Sequence, residues 1–404
     1  IRTGVDPSQS GFRFLKATDL VSANVGSVEF TSFLIPFQGG FDGLNIFAEN
    51  GRKMNHWSAH FEQENDSTQG GLNGSTVAGF RKGIQIMAEK TDVDINCLAV
   101  PGQRSTFITD YAATQMEERF DAIYLMDIEN TSQFGSGAGN VLFDGSPHTA
   151  IDSTSNATTD TFFTISRFAA RGTNSSFAAA YYPNVKLTFA AQITPGTISG
   201  PPQIFDGAPP SIAALAAFAK TARVEGPWGT PAGYTNGRPN AITGTNIALT
   251  AQDSKDLTVN AINPIIIVRD GTDPQQISQF DLTVEGTGFI NGQRTLLNTT
   301  SALSRLDVRK LMIYIRRKTR DIAYNVIFEP NKPAVLSTFS AAVENMLGEL
   351  VAKEAVQQFR VVIDETTTSQ ADIENNTVRG KVFVQPYRSV EIIAIDININ
   401  NTIE

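Results

Sequence analysis

Hydrophobic and polar positions alternate strictly near the end of this chain. Between residues 393 and 399 every second residue is isoleucine, and the positions between are alanine, aspartate and asparagine. This period of two predicts a β-strand with one buried face. The isoleucines are Ile393, Ile395, Ile397 and Ile399. A strand in this position can become a sheet edge whose unpaired N–H and C=O groups pair with another chain. The pattern leaves open whether it pairs in its own sheet or in that of a neighbour.

Residues 92–128 show the pattern of a strand, a helix and a second strand. Residues 92–102 predict a strand ending in a turn, residues 105–120 predict an amphipathic helix, and residues 121–128 predict a second buried strand. This βαβ order predicts a parallel pair of strands with a right-handed crossover.

The remaining part of the first 250 residues is less regular. Residues 1 to about 60 predict mainly strands and loops, and helical spacing predicts helices over 75–90 and 211–222. Residues 131–160 are rich in Ser, Thr, Gly and Asn, which predicts a surface loop or a small insertion. Residues 174–189 predict a helix that runs into a strand.

The most regular helical periodicity follows residue 300. A helix is predicted from Ser304 to Val326, with the apolar stripe Val308, Leu311, Ile315, Ile322 and Val326. A second helix is predicted from Phe339 to Phe359. Its expected buried residues are Phe339, Val343, Met346, Leu347, Leu350 and Val356. Residues 359–365 and 379–387 predict strands, so two helices packed on a mainly antiparallel sheet are expected.

These patterns together predict a multidomain protein of mixed α+β and α/β class. Residues 1–75 form a β-rich amino-terminal region that can contribute to other domains. Residues 76–250 form an α/β domain, interrupted by the insertion at about 131–160. Residues 251–404 form a carboxyl-terminal α+β domain.

Composition narrows the classes of function. Of 404 residues, 32 are Lys or Arg and 41 are Asp or Glu, a net charge of −9 that argues against nonspecific binding to nucleic acid or anionic lipid. Cys97 is the single cysteine, which excludes an intramolecular disulfide and a cysteine-rich zinc site. No apolar run reaches the length of a membrane-spanning helix, and no signal peptide is recognised. The chain begins with Ile1, which indicates a processed form or a fragment.

Candidate metal chemistry is limited to one short segment. His56 and His60 lie four residues apart, so a helix would place both on one face. The H-E-x-x-H zinc motif requires glutamate at position 57, where Trp57 stands. The carboxylates Glu62 and Glu64 keep a metal site as an alternative, but packing or surface histidines are the favoured interpretation.

Other catalytic and cofactor motifs are absent from the sequence. The turn Pro101-Gly102-Gln103 after the first βαβ strand matches neither G-x-G-x-x-G nor the phosphate loop G-x-x-x-x-G-K-[ST]. No serine lies in a G-x-S-x-G elbow. We therefore assign no catalytic residue, cofactor or metal.

A basic helix face is the strongest electrostatic feature of this acidic chain. Between residues 305 and 321 the basic residues are Arg305, Arg309, Lys310, Arg316, Arg317, Lys318 and Arg320. The acidic residues there are Asp307 and Asp321. The face is interpreted either as a solvated surface that balances acidic neighbours or as a docking face for an acidic partner protein. Nucleic acid is a weaker alternative because the face offers no aromatic residues for stacking.

Several segments of the second half resemble, in order and spacing, the sheath protein of contractile bacteriophage tails and related contractile injection systems. They are residues 209–234, 257–268, 287–298, 309–331 and 379–399. The resemblance implies a structural, non-enzymatic subunit that polymerises helically around an inner tube and contracts to drive that tube through a host envelope. It implies no cofactor, and it places the protein in the virion tail after assembly in the host bacterial cytoplasm.

The resemblance also implies partners and surfaces. The implied partners are other copies of the chain, the inner tail tube protein, and the baseplate and tail terminator proteins, with no nucleic acid and no stable membrane insertion. Arg305, Arg309, Arg316 and Arg320 would dock the tube or a neighbour, with the helix beginning at Phe339 as a rival, and the four isoleucines would form an exchanged strand. The alternatives are an α/β enzyme or ligand-binding protein that uses the turn after Leu98, and a secreted glycosylated surface protein.

Overall fold

The structure is a computed structural model. It describes residues 56–64, 70–128, 157–189, 193–194, 197–198, 203–239, 242–247, 249–268, 284–285, 287–329, 332–363, 367, 377, 379–387 and 389. All of these residues lie within the compact unit Ile46–Glu404.

Helices and strands alternate along most of the described chain. The helices are α1 (His56–Glu64), α2 (Ser75–Ala88), α3 (Thr106–Arg119), α4 (Ala157–Ala170), α5 (Pro210–Val224), α6 (Gly233–Asn236), α7 (Ala251–Val259), α8 (Leu306–Ala323) and α9 (Pro333–Ala352). The first strands are β1 (Cys97–Ala99), β2 (Ile123–Asp127), β3 (Ala178–Tyr182), β4 (Val185–Phe189), β5 (Ile193–Thr194), β6 (Thr197–Ile198) and β7 (Gln203–Ala208). They are followed by β8 (Ile242–Thr245), β9 (Ile262–Val268), β10 (Val284–Glu285), β11 (Thr287–Ile290), β12 (Val356–Val362) and β13 (Lys381–Pro386). Short 3₁₀ turns cover Gly71–Asn73 and Ala302–Ser304.

A five-stranded sheet forms the centre of the larger core, with the order β1-β2-β3-β9-β11. Strands β1, β2, β3 and β9 are parallel, and β11 is antiparallel to β9. Helices α3 and α5 both pack against β2. Every residue of β2 and β3 is buried, as expected for parallel strands covered on both faces. The predicted βαβ unit, formed by β1, α3 and β2, is therefore confirmed.

A second sheet is antiparallel and has the order β10-β8-β4-β7. Strand β4 follows β3 directly, so the chain passes from the first sheet into the second across Tyr182-Pro183. The contact between β11 and β8 joins the two sheets along another edge. A side chain at Gly288 of β11 would place its Cβ 2.3 Å from Ile242 Cγ2, so glycine permits this close approach.

Helices α8 and α9 and the antiparallel hairpin β12–β13 form a separate, smaller layer, called the carboxyl-terminal module below. Its core consists of Leu311, Ile315, Val343, Leu347, Leu350, Ala355 and Val356. Helix α9 ends at Ala352 and the backbone reverses at Glu354, whose φ is 56°. The helix predicted to continue to Phe359 is therefore too long, and Val356 is buried from a strand instead.

Two further sequence predictions differ from the structure. Residues 174–189 contain strands β3 and β4 and no helix, and residues 56–64 of the amino-terminal region form a helix where strands and loops were expected. Helix α4 begins at Ala157, so the last residues of the predicted insertion are helical, while residues 131–156 lie outside the described residues.

The predicted domain limits remain a prediction. The described strands on both sides of residue 250 share one sheet, because β9 pairs with β3. Elements that the sequence assigned to two domains therefore meet in a single layer.

Candidate functional site

Helix α8 lies between the two hydrophobic cores and carries most of the residues that the sequence singled out. Its Leu306 and Ile313 are buried in the larger core, and Leu311 and Ile315 are buried in the core of the carboxyl-terminal module. Because α8 contributes buried residues to both cores, displacing it would disrupt both. The larger core and the module are therefore joined through one element.

Lys310 is buried between the two apolar faces of α8. Its Nζ donates a hydrogen bond of 2.6 Å to the Gly229 carbonyl oxygen and lies 4.6 Å from the centre of the Phe218 ring. Burial lowers the pKa of the Lys310 ammonium to about 8, because the charged form loses its hydration. The sequence placed this lysine on a solvated or docking face, so its structural role was missed.

The predicted arginine face has partners within the same chain. Arg309 stacks on Phe177 with 4.0 Å between the guanidinium carbon and the ring centre, and it donates to Ser176 Oγ. Burial lowers the pKa of Arg309 to about 10. Arg316 lies 4.7 Å from the centre of the Phe120 ring and remains exposed.

Arg317 and Arg320 make ion pairs with acidic residues that precede strands β1 and β2. Arg320 Nη1 lies 3.4 Å from Asp121 Oδ2, and Asp121 also accepts a 2.6 Å hydrogen bond from Arg119. Arg317 pairs with Asp94. The arginines of α8 therefore help to fix the helix against the larger core. Docking of Arg305, Arg309, Arg316 and Arg320 to an inner tube remains a prediction.

Arg305 contributes to a polar clamp around Ser389, the last described residue. Arg305 Nη2 donates to the Ser389 carbonyl oxygen at 2.7 Å, and Ser389 Oγ donates to Asp307 Oδ2 at 2.6 Å. Gln293 Nε2 donates to Ser389 Oγ, also at 2.6 Å. These four residues, the Ser389 clamp, hold the chain directly before the segment that contains the alternating isoleucines. Ile393, Ile395, Ile397 and Ile399 themselves lie outside the described residues.

The hairpin β12–β13 is packed on one face only. Val382, Val384 and Phe359 pack against the core of the carboxyl-terminal module, while Phe383 and Tyr387 are 54% and 51% exposed. The described residues form a two-stranded sheet here, and a sheet of two strands has two edges with unpaired backbone groups. Among the described residues, neither edge of the hairpin pairs with a further strand.

Trp228, in the loop after α5, bridges the larger core and the module. Its ring meets the Tyr314 ring of α8 edge to face at 5.2 Å between centres, and Lys353 Nζ lies 5.9 Å from its centre. The loop thus adds a contact to α8 at Tyr314.

The carboxyl end of β2 lies where α/β proteins commonly bind ligands, and here it contacts other parts of the chain. Asp127 at the end of β2 accepts hydrogen bonds from the Gly102 amide at 2.8 Å and from the Ser211 amide and hydroxyl at 2.8 and 2.7 Å. Burial raises the pKa of the Asp127 carboxyl, and the hydrogen bonds oppose this change. Asp127 therefore links the turn after β1 to the start of α5.

The histidine segment forms helix α1, where strands and loops were expected, and His60 is buried. In the described part of the chain, no three His, Cys, Asp or Glu side chains come together to hold a metal ion. Of the helices that the structure describes, none has the length and hydropathy to cross a bilayer.

Comparison with known proteins identifies the carboxyl-terminal region. Residues 298–400 match the phage tail sheath C-terminal domain family, a stretch that contains α8, α9 and the β12–β13 hairpin. This stretch, about a quarter of the chain, is therefore similar to the carboxyl-terminal domain of phage tail sheath proteins. The resemblance to contractile sheath proteins that the sequence indicated is confirmed.

Two curated sheath proteins match a longer part of the chain. The tail sheath protein of Vibrio phage KVP40 is 27% identical over 192 residues, which cover 47% of this chain and 26% of that protein. The tail sheath protein of Enterobacteria phage T4 is 25% identical over 179 residues, which cover 44% of this chain and 25% of that protein. The chain thus spans about a quarter of the length of both sheath relatives.

Solved structures of contractile systems share the fold. The anti-feeding prophage baseplate contains a chain that matches 81% of this one with a TM-score of 0.55, and 75% of that chain is covered. The sheath complex of an extracellular contractile injection system in its contracted state matches 78% of this chain with a TM-score of 0.53, and 75% of that chain is covered. Both are 18% identical to this chain, so they establish the fold: a mixed helix and sheet architecture of the sheath type.

Proposed function

We propose that this chain is a structural subunit of a contractile tail sheath. Copies of it polymerise helically around an inner tube, and contraction of the polymer drives the tube through a host envelope. The observation that carries this proposal is the sheath family match over residues 298–400, which coincides with the carboxyl-terminal module. The α/β enzyme alternative has less support, because the turn after β1 is engaged with Asp127 and α5.

The proposed assembly uses strand exchange at the carboxyl-terminal module. The hairpin β12–β13 offers edge backbone groups, and the alternating isoleucines supply a strand with one apolar face. The Ser389 clamp fixes the point from which that strand leaves the subunit. In the proposal, Ile393, Ile395, Ile397 and Ile399 enter the sheet of a neighbouring copy, so adjacent subunits stay connected while they move.

The proposed motion is that of a rigid body. Helix α8 is buried in both cores and is further held by Lys310, Arg309 and Trp228. Force on an exchanged strand therefore reaches the larger core through packed side chains rather than through a loose linker. Heterologous contacts that do not close into a ring generate the open helical array that a sheath requires.

Other partners belong to the same proposal. The inner tail tube protein would contact the sheath from inside, and baseplate and tail terminator proteins would contact its two ends. The exposed part of the α8 arginine face, above all Arg316, is the proposed tube contact, with helix α9 as the rival surface. The finished assembly would reside in the virion tail after formation in the host cytoplasm.

Electron microscopy of purified protein with substitutions in the isoleucine strand tests this function. Replacing Ile395 and Ile397 by lysine puts charge on the apolar face of the strand, and we expect sleeves or tubes to disappear while the circular dichroism of the subunit is retained. The matched control replaces Asp396 and Asn398 by lysine on the opposite face, and this protein should still form sleeves. Unmodified protein that remains a monomer at all concentrations, with or without a tube, would contradict the proposed function. Sleeve formation by both variants would contradict strand exchange.

A further inference from the structure

The turn that joins α8 to α9 exposes a group of large apolar side chains. Tyr324, Ile327 and Phe328, called the apolar tip below, are 64%, 51% and 102% exposed. Phe328 has a φ of 71°, a left-handed conformation that is uncommon for residues other than glycine. Phe328 thus combines an uncommon backbone conformation with a ring that is fully exposed to solvent.

A cavity of about 350 Å³ opens to solvent between α5, α8 and β1. Its apolar lining includes Phe218, Ala219, Ala222, Ile313 and Tyr314, and Cys97 lies among the lining residues. This volume is within the range of sites that enclose small molecules or inserted side chains. We call it the α5–α8 cavity.

The main basic groups of this cavity already have partners. Lys310 donates to the Gly229 carbonyl oxygen and lies over Phe218, and Arg317 pairs with Asp94. An anionic or metal ligand would have to displace these contacts. An apolar group could instead enter the cavity and leave them intact.

We propose that the apolar tip of one copy of this chain occupies the α5–α8 cavity of a second copy, with the Phe328 ring inserted between α5 and α8. Because Phe328 is fully exposed, it does not fill the cavity of its own chain. Charge is compatible with the pairing: Glu329 follows the tip directly, and the cavity lining has three basic side chains, Lys310, Arg317 and Lys318, against the two acidic ones Asp94 and Asp321. The inference rests on the proposed function, since it adds a contact between subunits of the same polymer.

The geometry of this contact has a consequence for the form of the assembly. The tip and the cavity are different surfaces of one chain, so each copy offers one of each to its neighbours. Such a heterologous contact extends in one direction and generates an open array unless the rotation closes. It would therefore operate alongside strand exchange and stiffen the same polymer.

Cys97 makes a direct test available, because it lies at the cavity and is the single cysteine of the chain. In the variant Phe328→Cys, treatment with dibromobimane, a short cross-linker specific for thiols, should join position 328 of one copy to Cys97 of the next. Burial raises the pKa of the Cys97 thiol, so the reaction is carried out at pH 9. Peptide mass spectrometry should identify the linked pair, and denaturing gels should show a ladder of dimers, trimers and larger species.

Two controls separate this contact from random encounters. Val259→Cys places a thiol at another exposed apolar position, the last residue of α7, where Val259 is 76% exposed, and it should not link to Cys97. The double variant Phe328→Cys/Cys97→Ser should lose the ladder and retain at most dimers linked through position 328.

A second measurement reports the strength of the contact without cross-linking. Phe328→Ser should raise the protein concentration needed for sleeve formation roughly tenfold or more, as expected for the loss of one buried aromatic side chain. Phe162→Ser, at a position on α4 that is 62% exposed, serves as the matched control and should leave that concentration unchanged.

The outcomes distinguish this inference from the proposed function. Sleeves with a linked 97–328 pair support both. Sleeves without that pair, or an assembly concentration unchanged by Phe328→Ser, overturn the tip contact and leave the sheath function in place. A 97–328 ladder in protein that never forms sleeves supports the contact and contradicts the sheath function, and the absence of both contradicts both.

Discussion

The five-stranded sheet and the carboxyl-terminal module both bury apolar cores, but the chain covers them to different extents. Strands β2 and β3 are buried at every residue, and the carboxylate of Asp127 closes the end of the sheet against α5. The module leaves one face of its hairpin exposed at Phe383 and Tyr387, and Phe328 at its turn is fully exposed. We therefore expect the proposed contacts between subunits to involve the exposed apolar side chains of the module.

The largest change in the free energy of unfolding should come from replacing one buried leucine in each of the two cores. Leu125 of β2 and Leu347 of α9 are both 0% exposed, and replacement of either by alanine should lower the free energy of unfolding by about 2–5 kcal/mol. Because α8 is buried in both cores, we expect one cooperative transition in urea for both variants. Hydrogen exchange in Leu347→Ala should accelerate in β2 as well as in α9. Acceleration confined to α9, β12 and β13 would show that the module unfolds alone and that α8 does not couple the cores.

A smaller change in the free energy of unfolding should come from Lys310, which lies between the two cores, and this change should depend on pH. The pKa of Lys310 is about 8 in the folded chain, below its ordinary value of 10.5. Between these values the unfolded chain binds more protons, so the free energy of unfolding should rise with pH, by about 3 kcal/mol in total. Lys310→Met lacks this titration. The difference between the unmodified protein and Lys310→Met, measured by urea unfolding from pH 7 to 11, should therefore increase over this window; parallel curves would contradict the burial of a charged lysine.

The smallest effect on stability is expected at the exposed end of the α8 arginine face. Arg309→Ala removes a half-buried guanidinium from Phe177 and should cost about 1–2 kcal/mol. Arg316→Ala, at an exposed position, should change stability by less than about 0.5 kcal/mol. Equal losses in thermal or urea unfolding would contradict this division of the face.

Charge reversal at the same exposed position tests the proposed tube contact. Arg316→Glu should weaken co-sedimentation of the sheath subunit with its inner tube, whereas Lys255→Glu, at an exposed position of α7, should have little effect. Unchanged co-sedimentation for Arg316→Glu would favour helix α9 as the surface that meets the tube.

Helices with a clear period and strands bounded by turn residues could be predicted from the sequence. The helices α2, α3, α5 and α8 and the strands β1, β2 and β13 lie where periodicity placed them. The sequence failed at residues 178–182, because alanine favours helices and a strand buried on both faces has no alternation to reveal it. It also extended α9 past Ala352, since apolar spacing does not report the reversal at Glu354.

The candidate site was less predictable than the fold. The basic residues of α8 were recognised as a group, but their contacts depend on partners far away in the chain, such as Phe177 for Arg309 and Gly229 for Lys310. A period of 3.6 gives the face on which a charge lies and not the residues that approach it. One signal was available for Lys310: its neighbour Leu311 and the residues at 306 and 313 are apolar, which places the lysine between two buried stripes.

The strand order of the five-stranded sheet has a consequence for synthesis of the chain on the ribosome. Strand β3 ends at Tyr182 but finds its second neighbour only when residue 262 has emerged, and β9 is completed only by β11 at residues 287–290. Helix α8 is synthesised soon after β11, when all five strands of the sheet have already been made. The module is therefore synthesised after every strand of the five-stranded sheet, and the proposed contacts through it become available only late in translation.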